Sequence, residues 1–172
     1  PVTGRMCRVQ AGQNFEVIID YAHTPSSFQV LLPPIAKRIR AQGGKVITVF
    51  GSAGERDTVK RPEQGRIADR YADIIILTDE DPRGEDSLTL LQMIAEGAQK
   101  EGKRTNEDLF IIPDRKKAIR QAFKSAHKGD IVLLLGKSHE NSIIYKDYVM
   151  PYDEISEAKR ALSEMGFTEG ET

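Results

Sequence analysis

Five short, almost continuously apolar runs punctuate the 172 residues, at 15–20, 45–50, 74–77, 109–112 and 131–135. A strand with one wet face alternates apolar and polar residues, so runs that are apolar throughout need cover on both faces. Parallel strands flanked by helices meet that need, and the longer amphipathic segments between the runs supply the helices. The pattern predicts an α/β fold: a three-layer, open, mostly parallel sheet with helices on both faces. A chain of this length suits a single domain over 1–172. Its opening Pro1-Val2-Thr3-Gly4, without a methionine, reads as the interior of something longer.

Several helices have legible ends. Ser87 can cap one whose stripe is Leu88, Leu91, Ile94, Ala95 and Ala98, and Asp114 can cap another carrying Ala118, Ile119, Ala122 and Phe123. Asp153 opens a last helix through Ile155, Ala158, Leu162 and Met165, with Gly166 closing it in a left-handed conformation. In the first crossover, Pro33 and Pro34 interrupt the pattern of Phe28, Leu31, Leu32, Ile35 and Ile39, which predicts a bent helix or a short one restarting near Pro33. Residues 168–172 read as a frayed tail.

With 25 basic and 26 acidic residues interspersed, the chain has no stripe suited to nucleic acid or a membrane surface. No apolar stretch approaches the roughly 18 residues of a membrane span, and no signal pattern opens the chain, so a cytoplasmic location is expected. The single cysteine, Cys7, has no disulfide or metal partner and is expected to act as a small buried hydrophobe.

Function is suggested by where the polar residues fall. Asp20-Tyr21-Ala22-His23-Thr24-Pro25 follows the first run, and Gly51-Ser52-Ala53-Gly54-Glu55-Arg56-Asp57 the second. Thr78-Asp79-Glu80-Asp81-Pro82-Arg83 follows the third, and Gly136-Lys137-Ser138-His139-Glu140 the last. Ligands of open parallel sheets bind beyond the carboxyl ends of the strands. Arg56, Arg83 and Lys137 suit carboxylates or phosphates, while Asp81, Glu85 and Glu140 can hold an amine or orient those cations. A zwitterionic amino acid satisfies both signs.

Other chemistries fail on spacing. Gly136-Lys137-Ser138 imitates the end of a phosphate-binding P-loop, but Ile131 stands where its first glycine is needed. The segment from Gly51 lacks the third glycine of a dinucleotide fingerprint. His23, His127 and His139 have no metal-ligand spacing, and Ser138 beside His139 lacks a nucleophile elbow. No metal site is expected.

In order and at strand ends, these motifs resemble the C-terminal domain of the Mur ligases, nearest to the UDP-N-acetylmuramoyl-tripeptide synthetases (MurE type). The resemblance runs from Gly4-Arg5-Met6 through Asp20-Tyr21-Ala22-His23-Thr24-Pro25, Gly54-Glu55-Arg56-Asp57 with Lys60-Arg61-Pro62, and Asp81-Pro82-Arg83 with Glu85-Asp86. It ends at Gly136-Lys137-Ser138-His139-Glu140. It implies an ATP-dependent amide ligase of peptidoglycan synthesis. Such an enzyme adds a third residue, meso-diaminopimelate or L-lysine, to UDP-N-acetylmuramoyl-L-alanyl-D-glutamate through an acyl phosphate. ATP and magnesium would be held mostly by a central domain that this chain lacks, so no catalytic residue and no activity are expected of these residues alone.

By the same resemblance Arg5, Asp20 and His23 are nucleotide contacts, with Asp20 on a ribose hydroxyl. Arg56, Asp81, Arg83, Gly136 and Glu140 form the amino-acid pocket, supported by Lys60, Glu85, Lys137 and His139. Three departures stand out. Glu80-Asp81-Pro82-Arg83 replaces the Asp-Asn-Pro-Arg of diaminopimelate-adding members, Ala53-Gly54-Glu55-Arg56 replaces Gly-Gly-Asp-Arg, and Ser138 replaces a glycine. Arg83 argues for a second carboxylate, as in diaminopimelate, and the charge on Asp81 for a more cationic substrate such as lysine. Folylpolyglutamate and cyanophycin synthetases share the fold, but they usually carry asparagine where Thr24 stands and lack the Gly-Lys-x-His-Glu ending. A non-catalytic binding module is the alternative of another class. A response-regulator-like domain is imitated only loosely by Asp81 and Lys137.

Overall fold

The computed structural model describes residues 5–168, so Gly4 and positions 169–172 of the expected tail lie outside the described residues. In chain order the elements are β1 (Cys7–Arg8), β2 (Glu16–Asp20), α1 (Pro25–Ala41), β3 (Val46–Phe50), α2 (Lys60–Tyr71), β4 (Ile74–Leu77) and α3 (Ser87–Lys100). There follow β5 (Leu109–Ile111), α4 (Arg115–Ser125), β6 (Ile131–Leu135), β7 (Ser142–Ile144), β8 (Val149–Pro151) and α5 (Glu154–Glu164). All five apolar runs are strands.

They form a sheet of order β1-β2-β6-β3-β4-β5, parallel except for β1, which pairs antiparallel with β2. A small antiparallel ribbon of β7 and β8 stands beside it. The sheet's two faces explain why the runs are apolar at every position. Ile18, Ile131, Leu133, Ile75 and Leu77 face a core closed by α1, α2 and α3. Val17, Ile19, Val132, Leu134 and Ile76 face a second core closed by α4 and α5. Each such side chain, fully buried, contributes on the order of 1.5–3 kcal/mol.

The helix ends follow the capping chemistry, with corrections. Asp114 accepts from the backbone N–H groups of Lys116 and Lys117, and Asp153 from that of Ser156. The α3 cap is Asp86, which accepts from Thr89 N at 3.0 Å, and not Ser87, which is the first helical residue. Its buried stripe runs through Leu90, Leu91, Ile94, Ala95 and Ala98, while Leu88 is 58% exposed. At about 100° per residue Leu88 falls roughly a quarter-turn outside the centre of that stripe. Ile155 in α5 and Met165 just after it are likewise partly exposed, because Glu154, Glu157, Ala158, Ala161 and Leu162 take the inward face. Gly166 closes α5 at φ +94°, and the Phe167 ring meets Phe15 edge-on.

The first crossover does not restart at Pro33: α1 is one helix of 17 residues with both prolines inside. The carbonyls their missing N–H groups would have met belong to Gln29 and Val30, both exposed, so water can take them. A capping box between Thr24 and Ser27 fixes the start. Cys7 is half-buried and packs against the second core. No described helix is long and apolar enough to cross a membrane.

The residue that most affects the α4–α5 face is one that periodicity hides. Arg115 is fully buried and grips Glu154 with Nε at 3.1 Å and Nη2 at 2.7 Å. Its remaining N–H groups donate to the carbonyls of Asp79 and Leu135 at 3.0 and 2.9 Å, just past β4 and at the end of β6. The Tyr152 hydroxyl donates to the same Glu154 carboxylate. Glu154→Ala leaves a buried guanidinium without its counter-ion and is expected to lower the stability of this domain by about 3–5 kcal/mol in chemical denaturation. The double replacement Arg115→Met with Glu154→Leu should recover a large part of that loss.

Candidate functional site

The carboxyl ends of β2, β6, β3 and β4 lie side by side along one edge of the sheet, so the four polar clusters converge there. Of the five non-glycine residues with positive φ among the described residues, four, namely Met6, Glu55, Arg83 and Ser138, belong to this edge. Such conformations cost on the order of 1 kcal/mol or more each, and their concentration here marks the edge as a place where backbone geometry serves a site.

Two clefts open on the edge. The first, of about 490 Å³, is lined by Arg5, Asp20, Tyr21, His23, Ser27 and Leu31 among others, and so brings together the three residues expected on the nucleotide side. Asp20 is buried and already occupied in part: Oδ1 accepts from Met6 N and Oδ2 from Ala22 N, both at 2.9 Å. It fastens the segment carrying Arg5 to the end of β2. His23 is exposed, with Nδ1 2.9 Å from the Tyr21 carbonyl, which makes Nδ1 the donor and leaves Nε2 for a ligand.

The second cleft, of about 410 Å³, shares the Tyr21 and His23 wall with the first. Around it stand Arg56, Lys60, Asp81, Arg83 and Glu140, together with Gln64 and Glu80. Gly136 borders it indirectly: at φ +101° it leaves room for Glu80, whose Oε2 would lie 2.7 Å from any Cβ placed there. His139 is exposed, and its ring centroid is 5.7 Å from that of Tyr21.

Asp81 is the hub. Its Oδ1 accepts from Lys137 Nζ at 2.9 Å and from Ile144 N at 2.8 Å, and its carbonyl accepts from Gly54 N at 2.7 Å. Gly54 approaches so closely that a Cβ would collide with the Pro82 carbonyl. These bonds give Lys137 a bracing place behind the pocket and not that of a direct ligand contact. It is fully buried and serves Asp81 internally, with Glu140 Oε1 at 3.9 Å, and it is not a free cation for a ligand. The charge on Asp81 is therefore met within the protein. Glu85 supports the same wall, accepting from Arg61 Nη1 at 2.9 Å, Arg61 Nη2 at 2.6 Å and Glu55 N at 2.5 Å. Arg83 donates its backbone N–H to the Ile144 carbonyl at 2.9 Å, which docks the β7–β8 ribbon against the cleft.

Sequence reasoning missed Glu80, Gln64, Arg61 and Arg115. Glu80 stood in a run of three acids, Asp79, Glu80 and Asp81, that are all buried, and nothing in their order distinguishes them. Burial, opposed in part by Arg115, His23 and Lys137, pushes the Glu80 carboxyl up to about 7. Burial also raises Asp79, although the Tyr145 hydroxyl donates to it at 2.8 Å. Tyr21 is raised by burial and then by the negative charges of Glu140, Glu80 and Asp81. Among the described residues no group of three histidine, cysteine or carboxylate side chains is placed to hold a metal ion, and no step below is routed through one.

A carboxyl whose folded pKa is raised favours the native state while protonated. That advantage is fully present below the unfolded value of about 4.5 and is lost as pH rises through 7. Glu80→Gln should therefore raise the melting temperature more at pH 8 than at pH 5, as read by calorimetry at both pH values.

Residues 4–138 match the family described as Mur ligase, glutamate ligase domain. Over 94% of its length the chain is 63% identical to a UDP-N-acetylmuramyl-tripeptide synthetase of Treponema denticola, and over the same share 58% identical to one of Treponema pallidum. It spans 30% of the length of each. The solved structure of a UDP-N-acetylmuramoyl-L-alanyl-D-glutamate–2,6-diaminopimelate ligase superposes on 97% of the chain with a TM-score of 0.78 at 29% identity, and the chain covers 33% of it. The convergent strand-end loops are thus those of a known family of ligases: the chain belongs to the Mur ligase family, as its glutamate ligase domain.

Proposed function

We propose that this chain is the amino-acid-binding, C-terminal domain of an ATP-dependent ligase that joins a diamino acid to UDP-N-acetylmuramoyl-L-alanyl-D-glutamate. The observation that carries the reading is the second cleft, one cavity lined by Arg56 and Arg83 together with Glu140. Arginine grips carboxylates in a bidentate fashion, and a partly exposed glutamate can hold an ammonium group. The named activities of the relatives in Treponema agree with such a ligand.

ATP, bound largely outside these residues, supplies the phosphoryl group that activates the peptide carboxylate. The first cleft is the place where Arg5 and His23 would meet the nucleotide. Because Tyr21 and His23 line both clefts, an amino acid seated in the second presents its amine next to the nucleotide side. Closure of this domain on the rest of the ligase would exclude water from that junction.

The structure also bears on which amino acid is added. Lys137 compensates Asp81, so that carboxylate exerts little pull on a cationic side chain, whereas two arginines remain for two carboxylates. This favours meso-diaminopimelate over L-lysine. The test is ADP release by the full-length ligase with ATP, the UDP-linked dipeptide and meso-diaminopimelate, lysine or ornithine offered separately. Turnover with any one supports the ligase, and turnover with none contradicts it. If diaminopimelate is preferred, Arg83→Ala should raise its KM about 10–100-fold, the loss of roughly 1.5–3 kcal/mol for a hydrogen bond to a charged group, and leave that for lysine little changed. Steady-state kinetics with both amino acids checks this.

A further inference from the structure

The acids around the second cleft differ in what the fold already asks of them. Asp81 is engaged by Lys137 and Ile144 N, Asp79 by the Tyr145 hydroxyl, and Glu85 by Arg61 and Glu55 N. Glu80 lines the cleft at 6% exposure, yet its Oε2, packed against Gly136, has no hydrogen-bond partner among the described residues. The nearby cations are committed elsewhere, Arg115 to Glu154 and Lys137 to Asp81. A buried carboxylate left in this state costs stability, and such groups are rare unless something else completes them. Oε2 is sealed from solvent as it stands, but Glu80 is among the residues that line the cleft, so a small side-chain rotation would bring the carboxylate to a partner arriving there.

We propose that Glu80 is the proton acceptor of the ligation step, receiving the reacting ammonium group of the amino acid at the floor of the cleft and taking one proton from it. This rests on the ligase reading above. The arrangement divides the work: Arg56, Arg83 and Glu140 hold the far groups of the amino acid, and Glu80 meets the nitrogen that reacts.

The step balances as follows. The ammonium group gives one proton to the Glu80 carboxylate and becomes a neutral amine. The nitrogen lone pair attacks the acyl-phosphate carbonyl carbon and a C–N bond forms. The C–O bond to phosphate then breaks, phosphate leaves with the bonding pair, and the second nitrogen proton goes to that phosphate. A carboxyl held near 7 suits this exchange, because about half of it is ionised at neutral pH and the ionised form is a better base than an exposed glutamate. The groups that set its charge are Arg115 from α4, His23 after β2 and Lys137 after β6, with Asp81 beside it opposing ionisation.

The experiment uses the full-length ligase with ATP and the UDP-linked dipeptide. Amino-acid-dependent product is measured beside hydroxamate formed when hydroxylamine, a neutral nucleophile, captures the acyl phosphate. Glu80→Gln should lower amino-acid ligation by on the order of 10²–10⁴-fold while hydroxamate formation stays close to wild type, and Glu80→Asp should keep part of the ligation rate. In the unaltered enzyme, kcat/KM for the amino acid should fall below an apparent pKa near 7, a measurement that does not depend on a variant folding. Ligation by Glu80→Gln at the wild-type rate, loss of hydroxamate and ligation together, or a flat wild-type profile from pH 6 to 8 would each overturn the assignment. If the unaltered enzyme forms neither product nor hydroxamate, the ligase reading itself fails.

Discussion

The paired charges of Asp81 and Lys137 hold the functional edge together. One carboxylate oxygen receives both a lysine from the end of β6 and a backbone N–H from β7, while the same residue's carbonyl receives the N–H of Gly54 beyond β3. Three segments distant in sequence are thereby fixed to the loop after β4. Lys137 is fully buried and Asp81 nearly so, and a buried pair of this kind adds little net stability over an apolar equivalent, yet losing one partner is costly. Its return is positional. The cleft walls are set before any ligand arrives, as a site that must align two substrates requires.

A second buried pair, Arg115 with Glu154, lies beneath the same edge and ties α4 and α5 to the ends of β4 and β6. Arg61 with Glu85 does the same for α2 and the loop before α3. The chain's near-balance of charges thus conceals a division. Several pairs are interior braces around the strand ends, whereas other charged residues that line the cleft, Arg56, Lys60, Arg83, Glu140 and Glu80 among them, are available to a zwitterionic ligand.

Much of this architecture was legible because burial on both faces leaves a simple mark. Runs such as 131–135 are apolar at every position since alternate residues enter different cores, and they were readable as strands without further information. The strand-end clusters were legible for the same reason, because polar residues directly after such runs have only the sheet edge to occupy. What could not be read were choices among chemically similar neighbours. Asp86 and Ser87 both cap helices, and only the phase of Leu90 and Leu91 decides between them. The prolines of α1 promised a break, but the freed carbonyls belong to the exposed residues Gln29 and Val30, where water can take them. Lys137 looked like a ligand cation because its partner, Asp81, is 56 residues away. Glu80 was hidden between two acids whose partners come from β6, β7 and the segment after it. Long-range pairing of charges leaves no local pattern.

In the proposed ligase this cleft seats the incoming amino acid between arginine and glutamate side chains, with its reacting amine toward Glu80. A crystal structure of the full-length ligase with the UDP-linked dipeptide, a non-hydrolysable ATP analogue and the amino acid that supports turnover tests it most directly. That structure should show a substrate carboxylate on Arg56 or Arg83, an ammonium group at Glu140, and the other amine within hydrogen-bonding distance of Glu80. Amino-acid density outside the second cleft, or an amine turned away from Glu80 toward solvent, would contradict it.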